Sequence, residues 1–534
     1  MTYDIILKNG RIVDGSGGPS FRADIGIKDG KIESIGDLES ATGEKIFDVS
    51  NLIVSPGFID IHDHSDIGIV KDPQAEQKVK QGVTTVLVGN CGSSAAPLTD
   101  ISKGILRQQD GVDAQWTSFG DYADLLEKNG IAINLAGLVG HGTIRSGVMG
   151  YEKRAPTDAE LHHMKDVLDQ AMREGAYGLS TGLIYAPGHN ATTGEVVELA
   201  KIAAKHGGLY ATHIRGHGTR DLDGVREAVE IGEKAGISTQ VSHIETHLPD
   251  AWGKEADMIK IVEDARERGL DVTFDILTHM SHTGDDVLFL FFQFFMDHPD
   301  GYDGFVKGLE SKEYREKIKQ EMLESRYRIC SIVVTAPERL EIFTDEGKKS
   351  IKQLADKAGT DPFDLICDLG LESIKTGKKL PGLLSMHYEE DLRLGVKHPL
   401  AMISGDGSIG GKDPRDYGIF PMTFRKYVRG ETKENMPEEV GAKILTTEEF
   451  IRKATSLSAQ RMELHDRGKV KVGNWADLVV FDPETISDVG SYEDPAHFPM
   501  GIEHVFVNGV LVVDKGEHSG ALPGRFLRGP GYQQ

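Results

Sequence analysis

The chain has 534 residues and carries 60 lysines and arginines against 84 aspartates and glutamates, so its formal charge is −24. This acidic excess argues against nucleic acids and anionic membrane surfaces as partners, because both bind to a basic face. With 39% hydrophobic and 27% charged residues, the composition is typical of a globular protein. The length suits one large barrel with additions or about three to four smaller domains.

Several features of the sequence bear on the compartment in which the protein works. The most apolar run, at residues 288–296, is far shorter than the ~18 residues that a membrane-spanning helix needs. The N-terminus lacks the basic start, apolar middle and cleavage site of a signal peptide. Cys91, Cys330 and Cys367 are too few for a disulfide framework in a chain of this length. We therefore expect a cytoplasmic protein, and a homo-oligomer stays open.

Both ends of the chain predict β-hairpins. Residues 5–13 and 25–35 are β-rich runs interrupted by Asn-Gly and Asp-Gly, the strongest short hairpin signals, and residues 505–513 repeat the pattern near the C-terminus. Because isolated hairpins are marginally stable in water, we expect the two ends to pair into one small β-domain. Its predicted extent is residues 1–55 plus 464–534.

Between these ends, residues 56–463 alternate short β-rich runs with amphipathic helices. Thr157 and Glu160 form a capping-box signature before one such helix. Eight strand candidates alternate with helices and predict an α/β fold of the (β/α)8 barrel type, with its chemistry at the C-terminal ends of the strands. The candidates centre on Ile59, Val86, Leu135, Leu179, Tyr210, Gln240, Phe274 and Ile403. More than a hundred residues separate the last two, which predicts an inserted subdomain or lid at about 283–380.

Reactive side chains end several of these predicted strands. His62 and His64 alternate along the first strand and so point to one side of it, as two ligands of one metal would. Each residue taken alone has a plainer interpretation, since Cys91 could be a buried hydrophobe and Asp406 a turn former. Their joint position at one barrel mouth favours a zinc site built from His62, His64, Cys91, His213, His243 and Asp406.

Eight segments, in this order, carry a family resemblance: PGFIDIHDHSD (56–66), GVTTVLVGNCG (82–92), LVGHGTIRSGVMG (138–150), GLSTGLIYAPG (178–188), HIRG (213–216), VSHIETHLPDAWGK (241–254), HYEEDLRLGVKHPLAMISGDG (387–407) and ADLVVFDP (476–483). The chain resembles the N-acyl-D-amino-acid deacylase (D-aminoacylase) group of the amidohydrolase superfamily over nearly its whole length. The resemblance implies a TIM-like barrel flanked by a small β-sandwich that both chain ends build.

The resemblance also implies two metal sites and a proton-transferring residue. One tightly bound zinc is implied at Cys91, His213 and His243. A second and weaker metal site is implied at His62, His64 and Asp406. Asp406 would in addition serve as the catalytic base and acid.

Five further residues are candidate substrate contacts. The resemblance implies that Arg415 binds a substrate carboxylate, and it leaves His141 or Tyr185 as donor to the tetrahedral oxyanion. Glu245 stands where the acylase relatives carry a lysine, and as an anion it would repel a substrate carboxylate. His279 lies near the position of a tyrosine that the relatives use. A third departure, His217, replaces a usual glutamate.

Together these observations predict a zinc-dependent enzyme that hydrolyses a linear C–N amide bond of a small molecule. The expected substrate is an N-acyl-D-amino acid or a related N-acyl or dipeptide-like compound. A cyclic amidase of the dihydroorotase or hydantoinase type is the alternative, distinguished by ring opening. A non-catalytic scaffold that kept the barrel is a third hypothesis, disfavoured by the full set of candidate ligands.

Overall fold

The computed structural model describes residues 2–284, 290–291, 294, 301–324, 328–344 and 347–533. In chain order the strands are β1 (Thr2–Ile12), β2 (Phe21–Lys28), β3 (Lys31–Gly36), β4 (Thr42–Asp48), β5 (Ile53–Pro56), β6 (Phe58–Asp60), β7 (Val83–Val88), β8 (Asn134–Gly137), β9 (Val139–Gly140), β10 (Gly178–Gly182), β11 (Leu209–His213), β12 (Ser238–Val241), β13 (Val272–Ile276), β14 (Ser281–Gly284), β15 (Leu340–Thr344), β16 (Gly347–Ser350), β17 (Gly382–Ser385), β18 (Ala401–Ile403), β19 (Leu478–Phe481), β20 (Ile502–Val507), β21 (Val510–Asp514) and β22 (Glu517–His518).

The α-helices are Gly68–Lys71, Glu76–Val79, Asp100–Asp110, Phe119–Asn129, His141–Met149, Asp158–Arg173, Thr193–Lys205, Asp221–Ala235, Glu255–Glu267, Gly301–Gly308, Lys312–Glu324, Arg328–Thr335, Ile351–Ala358, Pro362–Thr376, Glu389–Lys397, Pro414–Thr423, Thr447–Ala454 and Ser456–Arg461, and a π-helix spans Phe424–Arg429. Within the described ranges, no helix is both long and apolar enough to cross a membrane. Most of the apolar run at 288–296 lies outside the described residues.

Eight parallel strand positions form a closed barrel. They are β6, β7, β8 with its continuation β9, β10, β11, β12, β13 and β18. The third position joins the two halves, because β8 pairs with β7 and β9 pairs with β10. The ring closes where the amide of Asp406 donates to the carbonyl of His62 at 2.8 Å. Every predicted strand centre lies in one of these strands.

The helices bury one apolar stripe each against this barrel. In the helix Asp158–Arg173 the Thr157 hydroxyl accepts the Glu160 amide at 3.3 Å, and the Glu160 carboxylate accepts the Thr157 amide at 2.7 Å. The predicted capping box is therefore confirmed. Met164 and Leu168 lie one turn apart on the buried face, as the 3.6-residue period requires.

The two chain ends share one mixed sheet of nine strands. Its order is β22-β21-β20-β19-β5-β1-β2-β3, with β4 paired to β1, so the ends join where β5 meets β19. Asp29-Gly30 and Asn508-Gly509 make the predicted turns between β2 and β3 and between β20 and β21. The prediction for Asn9-Gly10 was wrong, because β1 continues through these residues with a bulge, and Asn9 takes a φ of 65° there.

A smaller antiparallel sheet lies between the seventh and eighth barrel strands. Its order is β14-β17-β15-β16, and helices of the same segment pack with it around a separate apolar cluster that includes Phe291, Phe363 and Leu384. Ile184 and Leu248, from loops of the barrel, belong to the same cluster. The inserted sheet is thereby packed onto the end of the barrel at which the strands terminate.

Candidate active site

The six candidate ligands end or closely follow five barrel strands, namely β6, β7, β11, β12 and β18. Three of them have left-handed backbones, with φ values of 51° for Cys91, 33° for His243 and 46° for Asp406. Such a conformation costs a non-glycine residue about 1–2 kcal/mol. Strain of this kind persists where the surrounding fold holds it and clusters at functional sites.

Cys91, His213 and His243 form a first donor set. Cys91 Sγ lies 3.7 Å from His213 Nδ1 and 3.7 Å from His243 Nε2. A tetrahedral zinc ion would separate a sulfur and a nitrogen ligand by about 3.6 Å. Burial alone would raise the pKa of the Cys91 thiol, but the charge of His62 and hydrogen bonds from the other two donors hold it well below its usual value. The first donor set therefore offers Cys91 as a thiolate, which is the form of cysteine that binds metals.

His62, His64 and Asp406 form a second donor set that shares Cys91 with the first. Asp406 Oδ1 lies 3.3 Å from His62 Nε2 and 3.1 Å from His64 Nε2. Although burial opposes it, hydrogen bonds to Asp406 and Cys91 raise the pKa of His64 to about 10. A cation would have to displace this proton before it could bind His64.

Asp275 supports both donor sets from a completely buried position on β13. Its Oδ1 accepts the backbone amide of His243 at 3.0 Å and the hydroxyl of Ser404 at 2.9 Å, and it lies 3.5 Å from His62 Nδ1. A carboxylate behind one ring nitrogen directs the other nitrogen toward a metal. Sequence reasoning missed Asp275, although a lone carboxylate inside an apolar strand is a recognisable signal.

A buried cluster of His217, Asp221 and His247 lies behind the first donor set. His217 Nε2 is 3.0 Å from His213 Nε2, and His217 Nδ1 is 3.4 Å from Asp221 Oδ1. If His213 binds a metal through Nδ1, its Nε2–H donates to His217, whose own hydrogen then lies on Nδ1 and points to Asp221. A protonated Nδ1 of His217 cannot bind a cation. In this tautomer the cluster therefore orients His213 and does not hold a metal of its own.

The donors open into a cavity of about 640 Å³. Tyr185 lines it with its hydroxyl 3.5 Å from His213 Nδ1, so this candidate oxyanion donor lies beside the first donor set. Much of the remaining wall is apolar and comes from Ile184, Leu277, Leu384 and Met386.

Arg415 contacts Asp406 of the second donor set. Its Nη1 is 2.9 Å from Asp406 Oδ2 and 2.7 Å from His282 Nδ1, and the side chain is 19% exposed toward the cavity it lines. Burial raises the pKa of Asp406, but the charge of Arg415 and the hydrogen bonds of His62 and His64 hold it well below its usual value. Asp406 is therefore a carboxylate, as a base or ligand must be.

Glu245 lines the cavity but is 1% exposed and accepts the backbone amide of Leu277 at 3.2 Å. Burial raises its pKa to about 8. A cation held by the neighbouring His243 would lower this pKa again. The charge that Glu245 presents thus depends on its surroundings and not on residue type alone.

Two predicted contacts do not line the cavity. His141 is completely buried, with Nε2 2.9 Å from Glu195 Oε1. His279 is 1% exposed, packs edge-on against Tyr492 with 5.9 Å between ring centroids, and lies 3.9 Å from Asp413. The structure instead brings His282, from the inserted sheet, to the place beside Arg415. Nothing local in the sequence distinguishes His282 from a surface residue.

Comparison with known proteins agrees with this geometry. The sequence profile of the amidohydrolase family matches residues 45–275 and 421–513. The D-aminoacylase of Alcaligenes xylosoxydans xylosoxydans is 31% identical over 529 residues, which cover 98% of this chain and 97% of that protein. The chain belongs to the amidohydrolase family. The N-acyl-D-glutamate deacylase of the same organism is 32% identical to this amidohydrolase over 98% of the chain and 96% of the relative.

Solved structures of an N-acyl-D-glutamate deacylase and a D-aminoacylase are similar to this amidohydrolase over nearly the whole chain. An N-acyl-D-glutamate deacylase from Bordetella bronchiseptica, complexed with zinc and a phosphonate mimic of the tetrahedral intermediate, has a TM-score of 0.79 at 29% identity and covers 99% of this chain and 100% of that one. A D-aminoacylase with a binuclear metal centre has a TM-score of 0.78 at 28% identity, with 98% and 100% covered. A D-hydantoinase, at a TM-score of 0.52 and 16% identity over 99% and 100%, shares the fold. The predicted TIM-barrel-type α/β fold is confirmed.

Proposed function

We propose that this amidohydrolase is a zinc-dependent enzyme that hydrolyses the linear amide bond of N-acyl-D-amino acids or of related N-acyl and dipeptide-like compounds. The convergence of Cys91 Sγ with His213 Nδ1 and His243 Nε2, 3.7 Å from each, carries the proposal. These donors open into a cavity that also holds Asp406 and Arg415. The D-aminoacylase and N-acyl-D-glutamate deacylase relatives support the substrate class.

Cys91, His213 and His243 are the proposed ligands of one tightly held zinc. A thiolate and two imidazoles suit this metal and leave a coordination position for water. Zinc, when bound, lowers the pKa of water to about 7 and polarises an amide carbonyl. His62, His64 and Asp406 are the proposed ligands of a second and weaker cation, and their donor atoms lie within 4.8 Å of one another.

Asp406 is the proposed base and acid of the reaction. Its carboxylate lines the cavity and lies within hydrogen-bonding distance of His64 and Arg415. In this position it would accept the proton of the attacking water and return it to the departing amide nitrogen. The amine is a poor leaving group until it is protonated, so the second transfer matters as much as the first.

Arg415 and Tyr185 are the proposed polar contacts of the substrate. Arg415 would donate to the substrate carboxylate, for which the guanidinium is the best matched side chain. Tyr185, whose hydroxyl lies 3.5 Å from His213 Nδ1, would donate to the oxyanion of the tetrahedral intermediate. The apolar wall at Leu277 and Leu384 would then receive a hydrophobic acyl group or side chain.

We also propose a division of the chain into domains. Residues 1–55 and 464–534 would form a small β-sandwich, residues 56–463 the catalytic barrel, and about 283–380 an inserted lid. The nine-stranded sheet that both ends share supports the first unit. The separate apolar cluster around Phe363 supports the lid.

The direct test is a substrate screen with zinc-loaded protein. The screen would hold N-acetyl-D-amino acids, N-acetyl-L-amino acids, dipeptides, hydantoins and dihydropyrimidines. We expect release of D-amino acid, lost on chelation and restored by zinc. Ring opening of a cyclic compound without hydrolysis of any linear amide would instead establish the cyclic amidase.

A further inference from the structure

A continuous series of hydrogen bonds joins the side chain of Arg415 to the backbone of Thr246. Arg415 Nη1 lies 2.7 Å from His282 Nδ1, His282 Nε2 lies 3.1 Å from His387 Nε2, and His387 Nδ1 lies 3.2 Å from the carbonyl oxygen of Thr246. Arg415 follows barrel strand β18, and Thr246 follows β12. Both histidines lie between the seventh and eighth barrel strands, His282 on β14 and His387 two residues after β17.

The chemistry of its two ends fixes the direction of this series. The Thr246 carbonyl can only accept, so His387 donates to it from Nδ1. A neutral His387 then has an unprotonated Nε2, which accepts the Nε2–H of His282. His282 in turn presents an unprotonated Nδ1, which is the acceptor that the guanidinium of Arg415 requires because arginine can only donate.

The surroundings of both rings favour the neutral form that this direction needs. Burial lowers the pKa of His387 to about 4. Burial and the charge of Arg415 hold the pKa of His282 well below its usual value. In the described part of the chain, both side-chain hydrogen bonds of Arg415 leave from Nη1, which is shared between His282 and Asp406. The Nη2 group is thereby left for a ligand.

We propose that His282 and His387 are positioning residues that hold the Arg415 guanidinium ready for the carboxylate of an N-acyl amino acid, so that the inserted sheet takes part in recognising the substrate. This rests on the proposed function, since it assigns the substrate carboxylate to Arg415. The two histidines are linked by hydrogen bonds to Arg415 and not to Asp406, so their direct effect is on binding of the carboxylate.

Three variants separate the links of the series. His282→Asn keeps an acceptor, because the Asn Oδ1 takes the place of Nδ1, whereas His282→Phe keeps a ring and removes the acceptor. His387→Gln keeps an acceptor for His282 but removes the donor to Thr246. His398→Asn is the matched control, because His398 pairs with Glu263 at 3.3 Å outside the cavity.

The first measurement compares zinc-loaded variants by calorimetry with D-leucine and D-leucinamide, which differ in the carboxylate. We expect His282→Phe to weaken the binding of D-leucine about tenfold or more, which is the value of a hydrogen bond to a charged group. Its binding of D-leucinamide should be unchanged. His282→Asn and His398→Asn should bind D-leucine with nearly the affinity of the parent. His387→Gln should bind it more weakly than these two variants but more tightly than His282→Phe. Equal losses for both ligands, or equal losses in His282→Asn and His282→Phe, would overturn the proposal.

The second measurement needs neither a ligand nor turnover. The ¹⁵N chemical shifts of the imidazoles, assigned by difference with His282→Asn and His387→Gln, should show His282 protonated at Nε2 alone and His387 protonated at Nδ1 alone. A reversed protonation pattern, or a positively charged imidazole at either residue, would overturn the proposed series of hydrogen bonds. If instead these tautomers and the D-leucine effect are found while no N-acetyl-D-amino acid is hydrolysed, the proposed activity fails and the carboxylate-positioning role stands.

Discussion

Arg415 and Asp406 form an ion pair in which Nη1 lies 2.9 Å from Oδ2, while Oδ1 of the same carboxylate faces His62 and His64 at 3.3 Å and 3.1 Å. One aspartate thus joins the candidate metal donors through one oxygen and the candidate substrate anchor through the other. A substrate carboxylate bound at Nη2 would share the charge of the guanidinium with Oδ2 and so make this oxygen a better proton acceptor. Substrate binding and proton transfer are therefore expected to be coupled at this residue.

We predict that Asp406→Asn keeps the fold and the tightly held metal but lowers kcat by at least ~100-fold, because an amide cannot shuttle the proton. Turnover, metal content and thermal unfolding should be measured together. Asp257→Asn is the control, since Asp257 is exposed on the helix Glu255–Glu267. A kcat for Asp406→Asn near that of the parent would assign the proton transfer to another group.

Metal content should depend on Cys91 and not on cysteine in general. We predict about one tightly bound zinc in the parent and loss of that zinc in Cys91→Ala, because Sγ is one of three donors in the first set. Cys367→Ala is the matched control, since Cys367 is completely buried in the inserted segment. Elemental analysis after dialysis would decide, and zinc at the parental level in Cys91→Ala would remove Cys91 from the site.

The barrel was predictable because its strands are buried apolar runs, and their order along the chain is also their order in space. Every predicted strand centre, from Ile59 to Ile403, lies in a strand. Asn9-Gly10 was mispredicted because the same dipeptide suits a turn and a bulge. Here Asp24 Oδ1 accepts the Asn9 amide at 2.8 Å and Asp48 Oδ1 accepts its side chain at 3.0 Å, and both contacts are tertiary.

The site was predictable only where it depends on the barrel. Residues that end parallel strands must meet at one edge, so the convergence of groups such as Cys91 and His213 follows from strand order. His282 belongs to the inserted sheet and His387 follows its strand β17 by two residues. No local pattern encodes where this sheet packs on the barrel. The charge of Glu245 was likewise beyond the sequence, because burial and not residue type sets its pKa.

The sheet that the chain ends share should contribute to the stability of the whole protein. Phe506, on β20, is completely buried and meets Phe47, on β4, edge-on with 5.8 Å between ring centroids. We predict that Phe506→Ala lowers the free energy of unfolding by about 3–5 kcal/mol. In a double-mutant cycle with Phe47→Ala, the coupling should be about 0.5–1.5 kcal/mol. Strict additivity would mean that the two rings do not interact.

The last prediction concerns a buried cation, Lys426, on the π-helix Phe424–Arg429. Its ammonium is fully buried and lies 2.7 Å from Glu439 Oε2 and 2.8 Å from Glu389 Oε2. Burial opposes ionisation of Glu439, but Lys426 holds its pKa at about 2. Because this pKa lies below the usual glutamate value of 4.5, the pair stabilises the fold fully above about pH 4.5, and the contribution is lost as pH falls toward about 2.

Lys426→Met should therefore destabilise the protein by about 3–5 kcal/mol at pH 7, because it leaves a buried carboxylate without its cation. In this variant the pKa of Glu439 should rise above 4.5, so the loss of stability relative to the parent should shrink as pH falls through the raised value.

The double variant Lys426→Met/Glu439→Gln should recover most of the stability at pH 7. Lys317→Met, which removes an exposed pair with Glu321 at 3.7 Å, should change stability by less than about 1 kcal/mol. Thermal and urea unfolding at pH 5 and pH 7 would measure all four proteins, and a deficit for Lys426→Met that is equal at both pH values would show that Glu439 does not carry the buried charge.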